Sequence, residues 1–137
     1  MNAKNIFITK SDLLRLQRLV ESFTRSGHRD AQHLDSLKAE LERAILVDAK
    51  SVPHDVVTMN SRVRVRDLDT QAELVYQIVF PRDANLQENR ISVLAPIGTA
   101  LLGYQTGSTI EWEVPSERRR FYIVDVEYQP EAAGLAA

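Results

Sequence analysis

Ala95-Pro96-Ile97-Gly98-Thr99-Ala100-Leu101-Leu102-Gly103 decides how the second half of this chain is read. A proline lies just inside its start and a glycine just past its end, the order in which a short helix is opened and stopped. On either side of it the apolar period is two. Val63 and Val65 alternate with Arg62, Arg64 and Arg66, and Ile110, Trp112 and Val114 alternate with Glu111 and Glu113, the signature of strands with one buried face. Residues 74–80 and 121–128 are apolar on both faces for part of their length, as inner strands or strands beneath a helix are. Residues 67–70, 81–85 and 115–117 supply turns, and Trp112 reads as a core residue. An antiparallel sheet carrying one short helix is an α+β unit, expected over 56–137. The tail, 130–134, reads as extended or disordered.

Upstream the period changes to that of a helix. Thr9 and Asp12 stand as N-cap and N3 of a capping box, with Ile8 and Leu13 as its hydrophobic staple. Leu13, Leu16, Val20 and Phe23 then fall on one helical face,. Gly27 stops that helix, Asp30 caps a second, and Leu34, Leu37, Leu41 and Ile45 repeat the spacing. Two such stripes joined by a tight turn predict an antiparallel helical hairpin, a short coiled coil, over 1–48. Residues 10–48 hold seven basic and seven acidic side chains, so a solvated outer face is expected. Residues 49–55 break the helical period, bring the first proline and read as a linker.

Composition removes several classes of function. The chain has 137 residues, 17 Lys+Arg against 19 Asp+Glu and a formal charge of −2. Such a balance gives no global pull toward DNA, RNA or an anionic membrane. Without cysteine there is no disulfide scaffold, thiol nucleophile or Cys-ligated metal. No apolar run approaches the ~20 residues that span a bilayer, and residues 1–9 are too short in apolar content for a signal peptide. The expectation is a soluble cytoplasmic protein.

Catalytic motifs are sparse. His28 and His33 are five residues apart rather than four, and His54 stands alone, so surface histidines are expected and no metal site or cofactor. There is no nucleophile elbow and no phosphate-cradling glycine loop. Arg118, Arg119 and Arg120 together with Arg62, Arg64 and Arg66 would make a basic patch able to touch phosphates. Glu111, Glu113 and Glu117 lie close enough in sequence to neutralise it, and no aromatic pair interleaves with basic residues on one strand to stack on bases. A salt-bridged sheet face is expected, and direct nucleic-acid contact is not.

The 95–103 motif followed by Gly107, joined to a hairpin, resembles the bacterial Gre transcript-cleavage factors. Residues 53–63 (PHDVVTMNSRV) and 127–134 (EYQPEAAG) look more closely like the Rnk group of that family. The resemblance runs along the whole chain, with motifs specific from Pro53 onward and the hairpin matching by pattern and length. It implies an FKBP-like C-terminal domain docking on RNA polymerase near the rim of the secondary channel, with Leu94, Ala95, Pro96 and Ile97 as the contact loop. Where Gre factors carry an acid two places before the proline, this chain has Leu94. Gre factors also send a long coiled coil toward the catalytic magnesium, with two acids at its tip, because a hard dication takes carboxylate oxygens. Here the tip holds Arg25, His28, Arg29 and Asp30, one carboxylate against two arginines. Helices of some 16 residues span only about 24 Å. The resemblance therefore implies a non-enzymatic polymerase-binding regulator that competes with Gre-type factors, with no cleavage activity, no small-molecule substrate and no membrane partner. Prolyl isomerase activity and nucleic-acid binding through the arginines are the alternatives.

Overall fold

The computed structural model describes residues 6–26, 34–114 and 117–134; the side chains of residues 26, 36, 112–114, 117 and 118 are outside that description. The first strand, β1 (Phe7–Thr9), runs straight into helix α1 (Lys10–Ser26), and α2 (Leu34–Arg43) runs straight into β2 (Ile45–Val47). Helix α1 forms where the capping pattern placed it. The Asp12 amide donates to Thr9 Oγ1 at 3.1 Å, one of the free N–H groups at a helix start that need a partner. Leu16 and Val20 are buried, with Leu13 and Phe23 packed against the same core. The turn expected at Gly27 and the cap expected at Asp30 lie outside the described residues.

The second helix is shorter than its apolar stripe. Ile45 is not its last core position but the first residue of β2, and it is 40% exposed. The helical period breaks there because the Ile45 amide donates to the Ile6 carbonyl at 2.9 Å, and β2 pairs in parallel with β1 in the register Phe7↔Ile45, Ile8↔Leu46, Thr9↔Val47. The hairpin thus stands on a small two-stranded base.

A five-stranded sheet follows, in the order β5-β4-β3-β7-β6. Its strands are β3 (Arg62–Asp67), β4 (Glu73–Val79), β5 (Arg90–Ser92), β6 (Thr109–Val114) and β7 (Glu117–Tyr128). Alternation in β3 is real: Val63 and Val65 are fully buried, and Arg62, Arg64 and Arg66, which alternate with them, face outward. The doubly apolar strands β4 and β7 flank it as inner strands. The expectation of an antiparallel sheet needs one correction, because β4 and β5 pair in parallel. Two 3-10 turns, Pro81–Asp83 and Leu86–Glu88, carry the chain back so that β5 re-enters in the direction of β4.

Helix α3 (Pro96–Leu101) covers one face of this sheet with Leu101 buried. One hydrophobic core joins everything: Ile6, Leu16 and Leu37 from the hairpin side meet Met59, Val63 and Leu101. The tail is ordered rather than extended. The Ala133 amide donates to the Gln129 carbonyl, closing a turn, because the side chains before it are captured by residues 53–58.

Candidate functional site

Pro96 is exposed at the first turn of α3, flanked by half-buried Ala95 and Ile97. Leu94 is only 5% exposed and belongs to the core, so of the four loop residues it supports the surface from beneath. The loop's shape is fixed by local bonds. The Leu94 amide donates to Ser92 Oγ at 3.0 Å, and the Thr99 hydroxyl donates to the Val93 carbonyl at 2.6 Å. Ser92 also accepts the Ala95 amide through its carbonyl at 3.0 Å. At the other end of α3, Gly103 has φ +87°, and a Cβ there would fall 2.8 Å from Ile6 Cβ. The glycines of the 95–103 motif are therefore architectural: Gly103 lets the hairpin base close against α3.

Residues 53–63 and 127–134, the two stretches that carry the closer family resemblance, touch each other. Gln129 is buried and its amide donates to the carbonyls of Pro53 at 2.8 Å and Val56 at 2.9 Å. The Thr58 hydroxyl donates to Glu131 at 2.7 Å. The same segment also binds the α3–β6 loop, with the Val57 amide on the Tyr104 carbonyl and the Gly103 amide on the Val57 carbonyl. Its Met59 amide donates to Asp12 Oδ2 at 3.1 Å. Sequence reasoning assigned Asp12 to capping alone. In the fold its side chain turns from the expected reciprocal cap to another element, and nothing in local spacing signals that.

The arginine face is paired. Arg64 meets Glu127 at 2.7 Å and Glu73 at 3.6 Å, and Arg66 meets Glu73 at 2.8 Å. Arg120 lies 3.5 Å from Asp69, and Arg119 bonds the buried carboxylate of Asp67. These acids are not the ones that sequence proximity singles out: Glu73 comes from β4, Glu127 from β7, Asp67 from the end of β3 and Asp69 from the β3–β4 turn. The Arg66 guanidinium holds the Glu73 carboxyl below its ordinary pKa. For Asp67 burial works the other way, but the Asp69 amide, Arg119 and the Thr70 amide together carry it below its ordinary value as well. Arg62 lies over the Tyr128 ring at 5.5 Å. The side chains of Trp112 and Arg118 are outside the described residues.

Of the predicted tip, Arg25 is exposed near the end of α1, while His28, Arg29 and Asp30 lie outside the described residues, as does His33. His54 is exposed. Among the described residues no three histidines or carboxylates gather as a metal cage, and no helix is long and apolar enough to cross a membrane.

Comparison with known proteins agrees with this geometry. The family profile "Transcription elongation factor, GreA/GreB, C-term" matches residues 52–128, and "Rnk N-terminus" matches residues 4–47. The regulator of nucleoside diphosphate kinase of Escherichia coli (strain K12) is 40% identical over 135 residues, covering 98% of this chain and 97% of that protein. Transcription elongation factor GreA of Clostridium botulinum (strain Eklund 17B / Type B) is 35% identical over 91 residues, 66% of this chain and 57% of that factor. The solved structure of a prokaryotic GreA/GreB elongation factor from Nitrosomonas europaea has a TM-score of 0.73 at 40% identity, covering 91% of this chain and 99% of the other. With the two profiles in tandem on one chain, and a relative of this identity matched almost end to end, the chain belongs to the Rnk group of the GreA/GreB transcription elongation factor family.

Proposed function

We propose that this protein is a non-enzymatic regulator that binds RNA polymerase at the secondary-channel rim and competes there with Gre-type factors without stimulating transcript cleavage. The observation that carries the reading is the pairing of an exposed, rigidly supported Pro96 loop with a short hairpin. Helix α1 has 17 residues, about 25 Å at 1.5 Å per residue, and the described part of its outer end presents Arg25 rather than a carboxylate. Docking through Leu94–Ile97 uses Pro96 as the exposed contact, with Leu94 holding the loop from the core. The sheet with α3 is read as FKBP-like, but fold does not carry activity, so a prolyl-peptide assay should stay at background. A partner of this kind places the protein in the cytoplasm. Capture of core polymerase by the immobilised protein tests the reading, with a Gre factor as competitor. Binding displaced by the competitor is expected; no binding at micromolar protein and low salt overturns it, as does magnesium-dependent cleavage of a backtracked transcript.

A further inference from the structure

Besides the apolar core they share, the continuous β1–α1 segment is hydrogen-bonded to the sheet-bearing part of the molecule at two separate points. At its base, the Phe7 amide donates to the Gly103 carbonyl at 3.0 Å, and Gly103 in turn donates to Val57 at 2.8 Å. Further along, Asp12 is 2% exposed and spends each carboxylate oxygen differently: Oδ2 accepts the Met59 amide at 3.1 Å and Oδ1 accepts Arg15 at 2.7 Å. Arg15 then lies over the Phe80 ring at 5.3 Å, at the end of β4. The Thr9 hydroxyl takes the Asp12 amide, while the Asp12 oxygens bond Arg15 and Met59 rather than the amides of the first turn, so capping does not explain a buried carboxylate here. Burying the carboxylate of an ion pair whose arginine stays 39% exposed is a poor way to gain stability, and the best-attested use of such a buried charged group is to fix one arrangement among several. One such bond leaves a pivot; two, at Phe7 in β1 and at Asp12 in the first turn of α1, set a direction for the segment.

We infer that Asp12 is a positioning residue that locks the helical hairpin to the α3-bearing unit, so that hairpin and docking loop move as one rigid body. Asp12 acts through the Met59 amide and through the Arg15–Phe80 stack, and Gly103 supplies the second point. The inference goes beyond the polymerase reading and stands without it, because it concerns the free protein.

The absence of cysteine makes the test direct. Spin labels on R25C, near the exposed end of α1, and T109C, exposed on β6, report one distance distribution by pulsed electron paramagnetic resonance. A narrow distribution is expected in the otherwise unchanged chain, a clearly broader or shifted one in Asp12→Ala, and near-recovery in Asp12→Asn, which keeps an acceptor for Met59. Leu16→Ala, a core truncation on the same helix, should lower the melting temperature yet leave the distribution narrow. A folded Asp12→Ala with an unchanged distribution overturns the inference, as does equal broadening in Leu16→Ala. Should Asp12→Ala fail to fold, Asp12→Ser decides in the same way, because its shorter polar side chain falls away from the Met59 amide; broadening supports the lock and an unchanged distribution refutes it. Polymerase binding enters none of these readouts, so failure here leaves the docking proposal standing.

Discussion

Gly98 lies against the carbonyl of Ser92 so closely that a Cβ would fall 2.2 Å from that oxygen. In most helices Gly→Ala gains up to about 1 kcal/mol. Here the sign should reverse. Overpacking against backbone that is itself held by the Leu94 and Ala95 amides costs typically 1–3 kcal/mol, and urea denaturation of Gly98→Ala should show a loss of about that size. A neutral or stabilised variant would mean that the Ser92 loop yields freely and that the 95–103 motif does not depend on this contact.

Pro96 is the exposed residue of the proposed contact loop, and its ring fixes the first turn of α3. Pro96→Ala should leave the melting temperature within a few degrees while weakening polymerase binding by roughly fivefold, about 1 kcal/mol. Equal affinity by competitive capture would remove this loop from the interface. Replacing Ile97 is a weaker test, because its half-buried side chain packs on the core and a charge there disturbs the fold too.

Three carboxylates titrate in opposing senses. Asp67 and Glu73 are held below their ordinary range, so the stability they contribute is present above that range and is lost as pH falls through their folded values. Burial raises Asp12 against the opposing pull of the Met59 amide and Arg15. Its contribution is therefore present below the ordinary aspartate value near pH 3.9 and lost as pH rises through its raised value. Denaturation series from acid to neutral pH should show that Asp12→Asn abolishes a decline above about pH 4, and that Glu73→Gln makes the acid-side fall shallower. An Asp12→Asn profile parallel to the parent would show that this carboxylate titrates normally.

Removing residues 1–48 should not leave an intact sheet unit. Ile6, Leu16 and Leu37 share one core with Met59 and Leu101, and Met59 would lose its bond to Asp12. The 49–137 fragment should bind a hydrophobic dye and melt without a sharp transition. A cooperative melt close to the parent's would make the hairpin an independent attachment.

Those elements with a local period were legible in the residues. Helix α1 follows from Leu13, Leu16, Val20 and Phe23, β3 from the valine–arginine alternation, and α3 from Pro96 and Gly103. What escaped depends on partners distant in the chain. Phe7 and Ile45 form strands of three residues each because they find one another, and three residues are too few to show a period. Ile45 fits a helical stripe and is claimed by Ile6 instead. Likewise Asp12 fits a capping box and is claimed by Met59. The loop Leu94–Ile97 was named from resemblance, and burial then separated Leu94, a supporting residue, from Pro96. Gln129 and Glu131 had a signal, since both sit in 127–134, one of the two stretches that carry the closer resemblance, but only the fold shows it in contact with the other, 53–63.

The central strand β3 is flanked by β4 on one edge and β7 on the other, and residues 53–58 wait for Gln129 and Glu131. A ribosome delivers Arg62 well before Tyr128. At about 5–20 residues per second, those later residues emerge several seconds after β3. During that interval one edge of Val63 and Val65 is unpaired, the condition under which strands recruit the wrong neighbour. The arginines alternating with those valines put charge along the open edge while the nascent chain waits. High-level synthesis should therefore fail first through aggregation of unfinished chains, before the mature fold reaches its own solubility limit.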